Sequence, residues 1–234
     1  MRFLTAEWKN LLLANYAVEP DFLRPYVPAG TDLDLFEGKA FLSLVAFMFE
    51  RTRVLGVPVP GHIDFEEVNL RFYVKPRRDP AIRAVTFIKE IVPRRVIPAV
   101  ANSLFNENYA CLPMAHASGD GAHCYTWDSG RDNRFAVEVE DELALPGPGS
   151  VGEFITEHYW GYAGGPRATL EYRVEHPPWV GAAVERYEIA VDFASTYGDE
   201  FSFLTDMEPH NVQYALGSAV SVSSPRRLKD SGNG

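Results

Sequence analysis

The chain has 234 residues, 46% hydrophobic and 23% charged, with 18 Gly, 17 Pro and a formal net charge of −10. That length suits one domain with its own core, and the composition excludes disordered, collagenous and coiled-coil chains. An acidic balance without a Lys/Arg run excludes a partner that presents a phosphate backbone, so no nucleic acid is expected.

Only five of the 22 basic residues are lysines, namely Lys9, Lys39, Lys75, Lys89 and Lys229, which leaves few amines for nucleophilic chemistry. Cys111 and Cys124 are too few for a disulfide framework, and reduced thiols are the default. The opening segment, MRFLTAEWKNLLLANY, carries Glu7 and Lys9 where a secretory signal needs an unbroken apolar core. The longest apolar stretch, Phe41 to Phe49, is well short of the roughly 20 residues that span a bilayer. A cytoplasmic protein with no membrane partner is expected, and a homo-oligomer is compatible with this reading. Residues 1–224 read as a single domain and 225–234 as a flexible tail with little to bury.

In chain order, Pro20 to Tyr26 reads as a short helical turn, ended by Pro28-Ala29-Gly30. Leu33 to Phe36 is extended, and Glu37-Gly38-Lys39 is a hairpin turn into Ala40 to Phe49, an apolar strand with no polar face. A Pro/Gly-rich loop from Val54 to Gly61 leads to Phe65–Lys75, which alternates strictly. Val68, Leu70, Phe72 and Val74 fall on one face and Glu67, Asn69, Arg71 and Tyr73 on the other. Ala84 to Val92 is a further strand, with Lys89 and Glu90 on opposite faces. Pro98 to Phe105 has helical spacing with Pro in the first turn.

Tyr109 to Ala117 and Cys124 to Asp128 read as strands around the Gly119-Asp120-Gly121 turn, and Arg134 to Glu140 as a third. Ser150 followed by Glu153 is a capping-box spacing that opens a helix running to about Trp160 and stopped by Gly161. Leu170 to Val174 and Val212 to Val222 complete the strands, while Trp179 to Tyr197 carries no clear period. The fold class is mainly β with short helices (α+β), an antiparallel barrel or sandwich with helices laid over it.

There is no Gly-x-Ser-x-Gly elbow, no phosphate-cradling loop, no Cys-x-x-Cys and no closely spaced His pair, so no metal or other cofactor is expected. His116 and His123 alone are near enough to face one another across a hairpin, and a hydrogen-bonding role serves them as well as a metal site. The polar face of Phe65–Lys75 has two readings. It is a solvated surface, as antiparallel sheets commonly have, or it lines a cavity, where Arg71 holds a carboxylate bidentately and Glu67 moves a proton. Asn69 and Tyr73 would join Arg71 in binding. Glu107 and Tyr109 lie where a helix gives way to a strand, with Glu107 as a second pocket carboxylate or a helix-end residue.

Three ordered strings, Phe65-Glu66-Glu67-Val68-Asn69-Leu70-Arg71-Phe72-Tyr73-Val74, Phe154-Ile155-Thr156-Glu157-His158-Tyr159 and Val174-Glu175-His176-Pro177-Pro178-Trp179, resemble the YqjF-like family of uncharacterised proteins. The similarity extends to Trp8–Val59 and so covers nearly the whole chain. It implies an acetoacetate decarboxylase-like fold, a closed, mostly antiparallel barrel with a central cavity and flanking helices. It also implies that the polar face of Phe65 to Val74 lines that cavity, with Glu67 resembling a pocket carboxylate and Glu107 an acidic residue upstream of a lysine pair. Acetoacetate decarboxylase forms a Schiff base through a lysine whose amine is tuned by an adjacent one. The nearest counterpart, Tyr109-Ala110-Cys111-Leu112-Pro113, is followed by Met114 and Ala115 instead.

The expectation is therefore a small-molecule-binding protein for a carboxylate- or carbonyl-bearing ligand, with acid–base chemistry of a lyase or hydratase type and no Schiff-base lysine. One alternative is a non-catalytic binding or structural protein with a self-filled cavity. Another is a decarboxylase that uses Lys89, the one lysine inside an apolar strand.

Overall fold

A computed structural model describes residues 1–95, 97, 102, 104–164 and 168–228. Its strands are β1 (Arg2–Val18), β2 (Thr31–Leu33), β3 (Ala40–Val54), β4 (Val57–Pro58), β5 (Phe65–Pro76), β6 (Ala84–Val92), β7 (Tyr109–Cys111), β8 (Met114–Gly119), β9 (Ala122–Asp128), β10 (Asp132–Ala144), β11 (Trp160–Ala163), β12 (Leu170–Glu175), β13 (Gly181–Ala190), β14 (Asn211–Ser223) and β15 (Arg226–Arg227). Short helices α1 (Pro20–Leu23), α2 (Val151–Thr156) and α3 (Phe193–Tyr197) connect them. The protein is mainly β. The helix predicted over Pro98 to Phe105 falls largely outside the described residues.

The larger sheet runs β2-β5-β3-β1-β14-β12-β11-β6-β7, and β5 also pairs with β6, so the pairings return on themselves. Most pairs are antiparallel, but β6 is parallel to both β11 and β7. A second sheet, β13-β10-β9-β8, lies against the outside of the first. Strand alternation produces two interiors. One face of β5 sends Val68, Leu70, Phe72 and Val74 into a core shared with Leu12, Trp127, Phe135 and Phe193. The opposite faces of β1, β3 and β5 send Leu13, Phe47, Phe49 and Phe65 inward, towards α2 and Trp179.

Ala40 to Phe49 is apolar on both faces because it is covered on both, as its unbroken pattern predicts. The cap forms, with its return bond shifted by one residue: Ser150 Oγ accepts from the Glu153 N–H at 3.2 Å, and Glu153 Oε2 accepts from the N–H of Gly149, just before the cap, at 2.7 Å. The helix ends at Thr156, earlier than the predicted Trp160, because the sheet captures the chain. The Tyr159 N–H reaches Arg83 O, and Trp160 pairs with Ala84. Gly161 is thus a strand residue and not a helix stop.

Tyr109 to Ala117, expected as one strand, divides at Leu112-Pro113 into β7 and β8, which belong to different sheets. Trp179 to Tyr197, which lacked a period, contains β13 and α3; most of β13 is exposed or half-exposed, which removes the alternation that would have marked it. At the C-terminus the described residues end at Leu228, and Arg226–Arg227 pair with β12. Phe72 is fully buried where the two sheets meet. Phe72→Ala should destabilise the protein by about 3–5 kcal/mol in urea unfolding, the range for truncating a buried aromatic ring.

Candidate functional site

The inward face encloses a cavity of about 380 Å³. Glu67, Asn69 and Arg71 of β5 project into it together with Glu90 of β6, and with Glu107 and Tyr109 from the turn into β7. The solvated-surface reading of β5 is excluded, because Glu67, Asn69 and Arg71 are 3%, 1% and 7% exposed.

Local backbone geometry places these groups. In Asn106-Glu107-Asn108, Asn106 takes a left-handed φ of 60°, which Asn tolerates better than most residues, and its Nδ2 donates to Gly164 O at 2.6 Å. Asn108 Nδ2 donates to Ile88 O at 2.8 Å, tying the turn to β6. Asn102 both accepts from the Tyr109 N–H at 2.7 Å and donates to Tyr109 O at 3.1 Å. Glu107 is thereby held between two anchored asparagines.

Glu90 faces the cavity because β6 is irregular. Leu70 is opposite Lys89 but Arg71 is opposite Phe87, so Ile88 is an extra residue in β6. Such a bulge exchanges the two faces of everything beyond it. Val85 and Phe87 line the cavity, and continued alternation would bring Lys89 in next; instead Ile88 and Lys89 both point to the outer layer, and Glu90 turns inward.

The polar network is dense. Asn69 Nδ2 donates to Glu67 Oε1 at 3.0 Å and the Tyr109 hydroxyl to Glu67 Oε2 at 3.1 Å. The Tyr172 hydroxyl donates to Glu107 Oε1 at 2.7 Å. That contact requires Gly161: a Cβ there would stand 2.2 Å from the Tyr172 ring, so only glycine lets the ring lie across β11. Burial pushes the Glu67 carboxyl up to about 7, against the hydrogen bonds from Asn69 and Tyr109 and the pull of Arg71. Burial likewise raises Glu107 to about 8, with the Glu67 charge acting in the same direction. It lifts Glu90 well above the usual carboxylate range, with Glu107 and Glu67 adding to the effect.

Arg71 faces these acids, yet no carboxylate oxygen among the described residues comes within 4.0 Å of its guanidinium, and its Nε has no partner. Asn69 Oδ1 and Glu90 Oε2 are also buried without partners. Beside Arg71 on the cavity wall is His158, whose Nε2 lies 3.4 Å from Asp34 Oδ2 and whose ring stands against Tyr73 at 4.5 Å. Burial lowers His158 to about 4 and keeps it neutral. The remaining wall is mostly aromatic and aliphatic, with Trp8 5.1 Å from Phe47 and 5.9 Å from Trp179 between ring centroids.

Two of the expected binding residues require correction. Lys89 does not reach the cavity: its Nζ donates to Thr196 O at 2.6 Å on the outer side of β6, for the reason the bulge supplies. Tyr73 stays behind the lining, where its hydroxyl meets Ser43 Oγ at 2.8 Å and its ring supports His158. Met114 packs half-buried against the outer core and Ala115 is exposed, so neither residue at the expected lysine positions faces the cavity. His116 and His123 take separate partners, Glu66 Oε1 at 2.7 Å and the Tyr214 ring at 4.6 Å. Glu90, Tyr172 and His158 were missed as site residues. His158 lies within one of the motifs that carry the family resemblance, but no local signal marks Glu90 or Tyr172.

A sequence profile described as an uncharacterized conserved protein, DUF2071, matches residues 5–219. The chain belongs to the DUF2071 family. Uncharacterized protein YqjF of Bacillus subtilis (strain 168) is 27% identical over 178 residues, 74% of this chain and 72% of that one. Among solved structures, acetoacetate decarboxylase from Legionella pneumophila superposes with a TM-score of 0.69 at 10% identity, covering 98% of this chain and 88% of that one. An enduracididine biosynthesis enzyme, MppR, in complex with pyruvate gives 0.67 at 13% identity over 99% and 93%. An acetoacetate decarboxylase-like enzyme from Sphingomonas wittichii RW1 gives 0.64 at 13% over 98% and 94%. The DUF2071 chain therefore has the acetoacetate decarboxylase-like fold. No helix among the described residues is long and apolar enough to cross a membrane.

The raised carboxyls set a pH dependence. Glu67 and Glu107 release protons near 4.5 when unfolded but hold them to about 7 and about 8 when folded, so between these values the folded state binds more protons. Stability must fall as pH rises through that window. His158 acts oppositely, but only below its unfolded value of 6.5. Thermal midpoints should therefore drop between pH 6.5 and pH 8, and Glu107→Gln should flatten the drop. An unchanged slope in that variant would contradict the assigned protonation.

Proposed function

We propose that this DUF2071 protein binds a small carboxylate- or carbonyl-bearing molecule in the cavity and works on it by acid–base chemistry without a covalent lysine. We read the returning strand pairings as a closed barrel around that ligand. The observation that carries the reading is Arg71: a buried guanidinium aimed into the cavity, without a counter-ion among the described residues, is a site for a ligand anion. Glu67, with its carboxyl near 7, can both donate and accept a proton at neutral pH.

Several neighbours on this fold are named as enzymes, and one is described in complex with pyruvate. Among the described residues no lysine lines the cavity, which speaks against a Schiff-base decarboxylase, the Lys89 version included. The open volume of about 380 Å³ speaks against a self-filled interior.

A thermal-shift screen of small keto and hydroxy acids at neutral pH tests the reading. At least one should raise the melting temperature, and Arg71→Ala should weaken its binding by about 10- to 100-fold, the loss expected for a buried charge-assisted contact. Binding that is indifferent to Arg71 would retire the anchor. For any acid that is turned over, Glu67→Gln should abolish the reaction while leaving the ligand-induced shift in place.

A further inference from the structure

The charged groups of the cavity fall at two places, and the two places have opposite sign. Among the described residues Arg71 is the only arginine or lysine that lines the cavity, and His158 is held neutral. Against that one positive charge stand three carboxyls, Glu67, Glu90 and Glu107, with Tyr109 and Tyr172 donating to two of them. Asn69 lies between, two residues from Arg71 along β5 and directly opposite Glu90 on β6. That spacing puts the acidic group about 6–7 Å from the Arg71 position along the strand.

Once Arg71 takes a ligand anion, nothing in the cavity balances the carboxyls, which must then stay protonated or meet a cation that arrives with the ligand. The acceptors for such a cation are already present. Glu90 Oε2 and Asn69 Oδ1 are buried and without partners, on residues that are 3% and 1% exposed. The lining also includes Trp8, Phe47 and Trp179, aromatic residues of the kind that favours an ammonium group once water is excluded.

Resting on the Arg71 anchor argued above, we propose that the ligand is amphoteric: its anionic group pairs with Arg71, and a protonated amine on the same molecule is received by Glu90, Glu107 and the Asn69 carbonyl. An amine separated from a carboxylate by a short apolar chain is the matching chemical class.

The test compares ω-amino acids, from γ-aminobutyrate to 6-aminohexanoate, with the fatty acids and the alkylamines of the same lengths, by titration calorimetry on the intact protein. At one chain length the amino acid should bind at least about tenfold more tightly than its fatty acid. Glu90→Gln should erase that advantage while leaving the fatty acid's affinity unchanged.

The wild-type protein supplies a second readout that does not depend on the variant's folding. Amino-acid binding near pH 7.5 should release close to one proton, detected as different heats in phosphate and Tris, because the incoming cation ionises a carboxyl. Fatty-acid binding should release none. Equal affinities for amino acid and fatty acid at every length, with both still dependent on Arg71, would overturn the amine site and leave the anion anchor standing. Binding by none of the acids would overturn both.

Discussion

Charge confined away from water is the constraint around which this molecule is organised. Among the described residues, three carboxyls and one guanidinium occupy an interior whose other walls are mostly rings and aliphatic groups, and in such a medium an uncompensated charge is expensive. Compensation is only partial. Asn69, Tyr109 and Tyr172 each donate to a carboxylate oxygen, while the Arg71 Nε and one oxygen each of Asn69 and Glu90 are left without partners. A structural polar core would close these gaps. Groups held ready but incomplete support the proposal that this network is finished by a bound molecule.

The scaffold supplies rigidity where the site needs it. β5 is buried on both faces, so each cavity residue is backed by a core residue one position away: Glu67 by Val68, Asn69 by Leu70, Arg71 by Phe72. The second sheet and α3 clamp the outer face and leave the inner one free to hold chemistry. Glu107, by contrast, sits on a turn, and three asparagine side chains around it take over the work that strand pairing performs elsewhere. Gly161 contributes by omission, since the absence of a Cβ is what brings Tyr172 across to Glu107.

Much of this was legible in the residues. Strict alternation in Phe65–Lys75 reported both faces of β5 correctly, because period two survives wherever a strand is flat and covered. The capping box at Ser150 and Glu153 was equally local and equally readable. What failed was non-local. The end of α2 depends on β6 capturing the chain at Tyr159 and Trp160, and the 17-residue strand β1 gave no usable period because its register shifts near Asn10, which has a φ of 52°. Tyr73 continues the polar alternation of β5, yet Ser43 and His158 close over it, and no pattern within one strand could report that.

The bulge at Ile88 makes the electrical character of the cavity depend on strand register and not on side-chain identity alone. Beyond it, an adjacent acid and amine, Glu90 and Lys89, are sorted to opposite sides of one strand. Were the same residues paired in regular register, without the bulge, the two would exchange, bringing an amine beside Glu67 and Glu107 and sending a carboxylate out towards Glu200, which now helps to steady Lys89. Relatives that keep every side chain in this segment could therefore present inverted chemistry to a ligand. Position-by-position comparison across the bulge would pair residues that never occupy the same space.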